Sequence, residues 1–203
     1  MRVTGGRARG LSLQVPARAR DLRPATDRLR ESLFSSLGDR VPGARVLDLF
    51  AGTGSYGLEA VSRGAQSVVF VENHRQALRC LQANLDRVVR ACGDATRATV
   101  LPRPVLPLPL APGQVFDLVI ADPPYADWEA LRLPLLRAIG PFLADDARLV
   151  LEIPADWQPE TPGFTGVRRL GGRQRGDPSL LLLARTAEGD QADSGLPGRN
   201  SLR

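Results

Sequence analysis

Two short runs in this chain carry residue types that could do chemistry together. The first is Asp122-Pro123-Pro124-Tyr125, directly after the apolar run Leu118-Val-Ile-Ala121. Each proline removes a backbone donor and restricts its neighbours, which holds the Asp122 carboxylate and the Pro123 carbonyl as paired acceptors. Two adjacent acceptors suit the two hydrogens of an exocyclic NH2 group. Such a nitrogen is a poor nucleophile because its lone pair is delocalised into the ring. Hydrogen bonds to both protons orient it, and the carboxylate stabilises the positive charge it gains as it attacks. Tyr125 offers a face on which an extruded base can stack.

The second run is Asp48-Leu-Phe-Ala-Gly-Thr-Gly54, continuing to Gly57 as GxGxxG. A glycine turn between a strand and a helix lets the backbone approach a ligand closely. Glu72 ends the next apolar run, at the position where an acid reaches the hydroxyls of a bound ribose, so an adenosine-containing ligand is expected. A dinucleotide would place its pyrophosphate at the helix N-terminus, where negative charge is favourable. Asp48 opposes that placement and favours the ammonium group of a methionine moiety. The spacing therefore predicts S-adenosyl-L-methionine. Its expected contacts are Asp48, Phe50, Ala51, Gly52, Thr53, Gly54, Glu72, Asn73 and Asp94, the last accepting from the adenine amino group.

The elements that must position these residues follow from periodicity. Buried-strand runs at 46–50, 67–72 and 115–121 alternate with helical patterns after Gly54, over 74–89 and over 128–139. A weak strand is expected at 99–101, and later ones at 148–152, 166–170 and 179–184. This alternation predicts a parallel sheet covered by helices on both faces. Leu29, Leu33, Phe34 and Leu37 mark a further helix, with Arg28 and Arg30 placed off its apolar face. Five prolines between 102 and 112 exclude a regular helix or central strand there, and a loop is expected. Residues 1–24 read as a basic extension, 25–185 as the catalytic domain and 186–203 as a disordered tail.

Charge narrows the partner. All 27 basic residues are arginine, and residues 1–30 hold eight of them against two acids, while the rest of the chain nets −1. A basic arm of this kind predicts an anionic partner, and the arginine fork suits phosphate. Arg2, Arg7, Arg9, Arg23, Arg28 and Arg30 are the expected contacts to that anionic partner. No run is apolar enough to span a bilayer, no leader is visible, and two cysteines 12 residues apart form no metal motif. A cytoplasmic monomer that uses no metal is expected.

The chain resembles the RsmD family of bacterial 16S rRNA guanine-N2 methyltransferases. The resemblance rests on Arg2-Val-Thr-Gly-Gly-Arg-Ala-Arg-Gly10, Leu22-Arg-Pro-Ala-Thr-Asp-Arg-Leu-Arg-Glu-Ser-Leu-Phe34, the two runs above, Gly57-Leu-Glu-Ala and Gly176-Asp-Pro-Ser-Leu-Leu. It implies a Rossmann-like, seven-stranded class I methyltransferase fold ending in an antiparallel hairpin. It also implies methylation of a guanine N2 in small-subunit rRNA, free or within an assembling 30S subunit. The residues alone leave adenine-N6 methylation of DNA or RNA open, because Asp-Pro-Pro-Tyr serves both bases. Protein glutamine methylation is disfavoured by Asp122, where Asn is usual. An NAD-dependent oxidoreductase is opposed by Asp48, and a silent RNA-binding protein need not keep every site residue.

Overall fold

The computed structural model describes residues 1–16, 27–93, 96–172 and 174–186. Seven strands form one sheet: β1 (Arg45–Leu49), β2 (Ser67–Glu72), β3 (Arg97–Pro102), β4 (Phe116–Ala121), β5 (Leu143–Pro154), β6 (Phe164–Gly171) and β7 (Pro178–Arg185). Their order is β3-β2-β1-β4-β5-β7-β6. The first five are mutually parallel, and β7 runs antiparallel between β5 and β6. Among the described residues four α-helices accompany the sheet: α1 (Asp27–Leu37), α2 (Ser55–Ser62), α3 (Arg75–Cys92) and α4 (Trp128–Ile139). This is the expected doubly covered sheet with its antiparallel end. The strand order reverses between β1 and β4, where open α/β sheets bind ligands beyond the carboxyl ends of their strands.

Alternate residues of each strand feed two separate cores, as a period of two requires. Val46, Val68, Phe70, Leu118, Ile120 and Val150 face α1, α2 and α3. Leu47, Leu49, Val119, Leu149 and Leu151 face α4. The proline-rich loop has a structural job on this second face. Val105 is buried there, and Leu106, Leu108 and Leu110 pack beside it while Pro107 and Pro109 alternate with them. An extended segment thus covers sheet that a helix would otherwise shield. The third strand is longer than the sequence suggests, running through Pro102. Proline is tolerated because β3 is an edge strand with one side unpaired.

The basic arm is part of the body. Val3, Ala8 and Leu13 enter the first core. Thr4 donates through its backbone N–H and its hydroxyl to the Glu59 carboxylate, both at 2.7 Å. The Ala8 N–H donates to Ser62 Oγ, which itself donates to the Gly5 carbonyl. Among the described residues the arm pairs with itself through a single antiparallel bridge, Arg2 to Ser12. The arm–domain boundary near residue 24 and the tail from 187 lie outside the described residues.

Candidate active site

The carboxyl edge of the sheet carries an acid at four successive strands. Asp48 stands in β1, Glu72 ends β2, Asp122 follows β4 and Glu152 lies in β5. Each interrupts or ends an apolar run, and each must find donors or pay for its burial.

Asp48 is 2% exposed. Its Oδ2 accepts the Gly57 N–H at 2.8 Å, which ties the end of β1 to the first turn of α2. Gly57 must lack a side chain: a Cβ would collide with the Phe70 ring and lie 2.9 Å from Asp48 Oδ2. Burial pushes the Asp48 carboxyl up to about 7, the Gly57 N–H opposes this, and Glu72 adds to it. A group poised there gains its charge most readily when a cation arrives. The other oxygen, Oδ1, makes no hydrogen bond among the described residues.

Glu72 organises the glycine loop. Its Oε2 accepts from Gly52 N at 2.7 Å, and its Oε1 accepts from Asn73 N and His74 N at 2.8 and 2.7 Å. A carboxylate offers about four lone-pair sites, so three such bonds leave room for one further donor, such as a ribose hydroxyl. Phe50 takes a left-handed backbone, φ 57°, as the chain leaves β1, a strain of the kind stored at ligand sites. Above the loop the space is open: a Cβ on Gly52 would meet only the Phe50 carbonyl, at 3.9 Å. An acid for an ammonium group, an acid for a ribose and an open glycine cradle fit S-adenosylmethionine. Asp48, Phe50, Ala51, Gly52, Thr53, Gly54, Glu72 and Asn73 are all brought to this edge by β1, β2 and the turn between β1 and α2. Asp94 lies outside the described residues.

Asp122 sits beside Asp48 on the neighbouring strand. Its N–H donates to the Leu49 carbonyl at 3.4 Å, continuing the β1–β4 ladder by one residue. Burial, with Glu152 and then Asp48 close by, pushes its carboxyl well above the ordinary range. Pro123 is buried and Pro124 exposed, so the motif leaves the sheet at its surface. Tyr125 opens a short 3-10 turn ending at Asp127, and its ring falls outside the described side chains.

Sequence reasoning missed three residues here. Tyr56 of α2 donates to Glu152 Oε2 at 2.6 Å, and both are buried. A lone acid within Leu149-Val-Leu-Glu-Ile153 was the available signal for Glu152. Asn84 of α3 donates to the Thr53 carbonyl at 3.1 Å and to the Gln14 carbonyl at 3.0 Å, and accepts from the Gln14 N–H at 2.7 Å. Its position in an amphipathic helix gave no signal.

The arginines divide. Arg9 and Arg28 are exposed and, among the described residues, neither side chain is held by an ion pair or hydrogen bond. Arg2 is exposed beside Asp27, and Arg7 donates to the Cys92 carbonyl, so both also dock the arm. Arg30 corrects the sequence reading. It is 0% exposed, and its Nη2 donates to the Arg2 carbonyl and to Asp27 Oδ1, both at 2.6 Å. One turn of helix carries it round to the buried side beside Leu33 and Phe34, so it fastens α1 to the arm and cannot meet RNA on the surface. Arg23 lies outside the described residues.

The family model described as conserved hypothetical protein 95 matches residues 1–180. The chain belongs to that family. Its members include the ribosomal RNA small subunit methyltransferase D of Escherichia coli K12. That relative is 34% identical over 166 residues, covering 77% of this chain and 81% of the relative. The solved yhhF protein of Escherichia coli is 31% identical with a TM-score of 0.77, covering 93% of this chain and 99% of that one. Protein TTHA0928 of Thermus thermophilus is 38% identical with a TM-score of 0.69, covering 90% and 98%. The RsmD resemblance and the class I methyltransferase fold expected from the sequence are thereby established, and S-adenosylmethionine as the expected cofactor accords with these methyltransferase relatives. Among the described residues no helix is long and apolar enough to cross a membrane.

Proposed function

We propose that this RsmD-family protein methylates the exocyclic N2 amine of a guanine in small-subunit rRNA, acting as a cytoplasmic monomer on free rRNA or the assembling 30S subunit. One observation carries the reading: Asp122-Pro123 leaves β4 beside Asp48 and the glycine loop, so the acceptor pair and the cofactor cradle share one sheet edge. The name of the Escherichia coli relative supports the rRNA substrate. S-adenosylmethionine supplies an electrophilic methyl group. Asp48 holds the cationic end of the cofactor, and Glu72 its ribose. Asp122 and the Pro123 carbonyl accept the two amine protons and turn the nitrogen lone pair towards the methyl group. Tyr125 stacks on the extruded base.

With tritiated S-adenosylmethionine and ribosomal RNA from a strain lacking the protein, label should appear on guanine of the small-subunit RNA. Label on adenine, DNA or protein would overturn this reading. The arm gives a separate test. Replacing Arg9 and Arg28 with alanine should weaken RNA binding and lower the slope of log affinity against log salt by roughly 0.7–0.9 for each phosphate no longer neutralised. An unchanged slope would remove these two side chains from the RNA interface.

A further inference from the structure

Glu152 is used by no step above, yet it occupies the strand position beside the catalytic acid. β4 and β5 pair Ala121 with Leu151, so the next residues, Asp122 and Glu152, stand side by side at the carboxyl edge. Glu152 is 3% exposed and accepts from Tyr56 Oη. Tyr56 belongs to the helix whose first turn follows the glycine loop, so this bond ties that helix to β5, the strand next to the acceptor motif. The ionisable groups facing Asp122 are Asp48 from β1, Glu152 from β5 and Tyr56 from α2, with Arg30 of α1 facing Tyr56. Burial and the two acids keep Tyr56 a neutral donor by pushing its hydroxyl well above its ordinary range.

We propose that Glu152 is a positioning residue for methyl transfer: its carboxylate, beside Asp122 and fixed by Tyr56, repels negative charge on Asp122 and so makes Asp122 the acceptor of the proton that the amine must lose. The inference rests on amine methylation at this site, whichever base is used. The balance is simple. The amine nitrogen forms a bond to the methyl carbon as the carbon–sulfur bond breaks, and that bond's electron pair goes to sulfur, which becomes neutral. The nitrogen then carries one positive charge and sheds one proton. Asp122, as the carboxylate, takes it and becomes a neutral carboxylic acid, leaving the neutral methylamine. The ring-conjugated ammonium is a strong acid, so a carboxylate takes its proton readily, and one crowded by Glu152 and Asp48 in a poorly solvated edge then holds it more firmly.

The test is carboxyl carbon-13 NMR on the whole protein with labelled Asp and Glu. Asp122 is assigned from the spectrum of Asp122→Asn. In the wild type, the Asp122 and Glu152 signals should each show two inflections with pH, because each charge displaces the other's titration. Single, independent inflections would overturn the proposal, and this readout needs no RNA. In Glu152→Gln, whose amide oxygen can still accept from Tyr56, the Asp122 midpoint should fall by about one unit, the scale of a close like charge. The acid limb of single-turnover methyl transfer should fall with it, so activity persists to lower pH, and Glu152→Asp should move both back. A Glu152→Gln enzyme that is slower at every pH with an unmoved acid limb would make Glu152 merely structural. If RNA labelling fails but the coupled titration is seen, the proposed substrate is wrong and the role of Glu152 stands.

Discussion

Asp122→Ala should slow methyl transfer by at least about a hundredfold, the scale seen when one preorganised stabiliser of developing charge is removed. Cofactor affinity should be nearly unchanged, because Asp48 and Glu72, not Asp122, are the residues proposed to hold the cofactor's ammonium and ribose. Single-turnover rates with tritiated donor and calorimetric titration of S-adenosylmethionine measure the two effects separately. Asp122→Asn keeps an acceptor oxygen but loses the charge, so it should fall between the wild type and the alanine variant. Wild-type turnover by Asp122→Ala would remove the residue from the mechanism. Equal losses in rate and affinity would move it from the acceptor to the cofactor.

Asp48→Asn should separate stability from function. The Asp48 carboxyl lies at about 7 in the folded protein, raised by burial from the ordinary 3.8. The folded state therefore keeps a proton that the unfolded chain has lost, throughout the interval between those two values. Stability from this group is full below about 4 and is lost as pH rises to 7. Above 7 the buried charge costs up to about 4 kcal/mol, three units at 1.36 kcal/mol each. Asparagine can still accept the Gly57 N–H but carries no charge. Urea unfolding should show the variant more stable than the wild type at pH 8, with the gap closing towards pH 4. Cofactor binding should move the other way. The variant binds weakly at every pH, and wild-type affinity should drop about tenfold from pH 7.5 to pH 6, since only the charged form attracts the ammonium group. A stability gap that ignores pH would show that Asp48 does not titrate in this range.

Much of this site can be read along the chain because its parts are local. A strand, a glycine turn and a helix fall within Arg45–Ser62, and Asp122-Pro123 adjoins its strand, so Asp48, Gly52 and Asp122 each announce their position. The partners that complete the site come from elsewhere. Tyr56 meets Glu152 across 96 residues, and Asn84 meets Gln14 across 70. Neither pair has a local period or spacing to betray it. Arg30 is misplaced by its sequence for a related reason. Charge predicts exposure, but the Arg2 carbonyl and Asp27 hold the buried guanidinium through Nη2, and that carbonyl comes from the arm. The proline-rich segment shows a limit of a different kind. Its prolines exclude regular structure, yet nothing in them says that the alternating leucines will shield a sheet face.

Asn84 has a consequence for the order of events. One amide side chain holds both the arm, through Gln14, and the glycine loop, through Thr53. The arm proposed to meet RNA and the loop proposed to cradle the cofactor therefore share one amide. On that reading, a shift of Gln14 when RNA engages the arm should be felt at Thr53, and the reverse should hold when the cofactor fills the loop. Linkage makes such an effect symmetrical: the factor by which RNA changes cofactor affinity must equal the factor by which the cofactor changes RNA affinity. Affinities of the two ligands measured separately will thus differ from those in the ternary complex by one common coupling constant, and Asn84→Ala should bring that constant towards one.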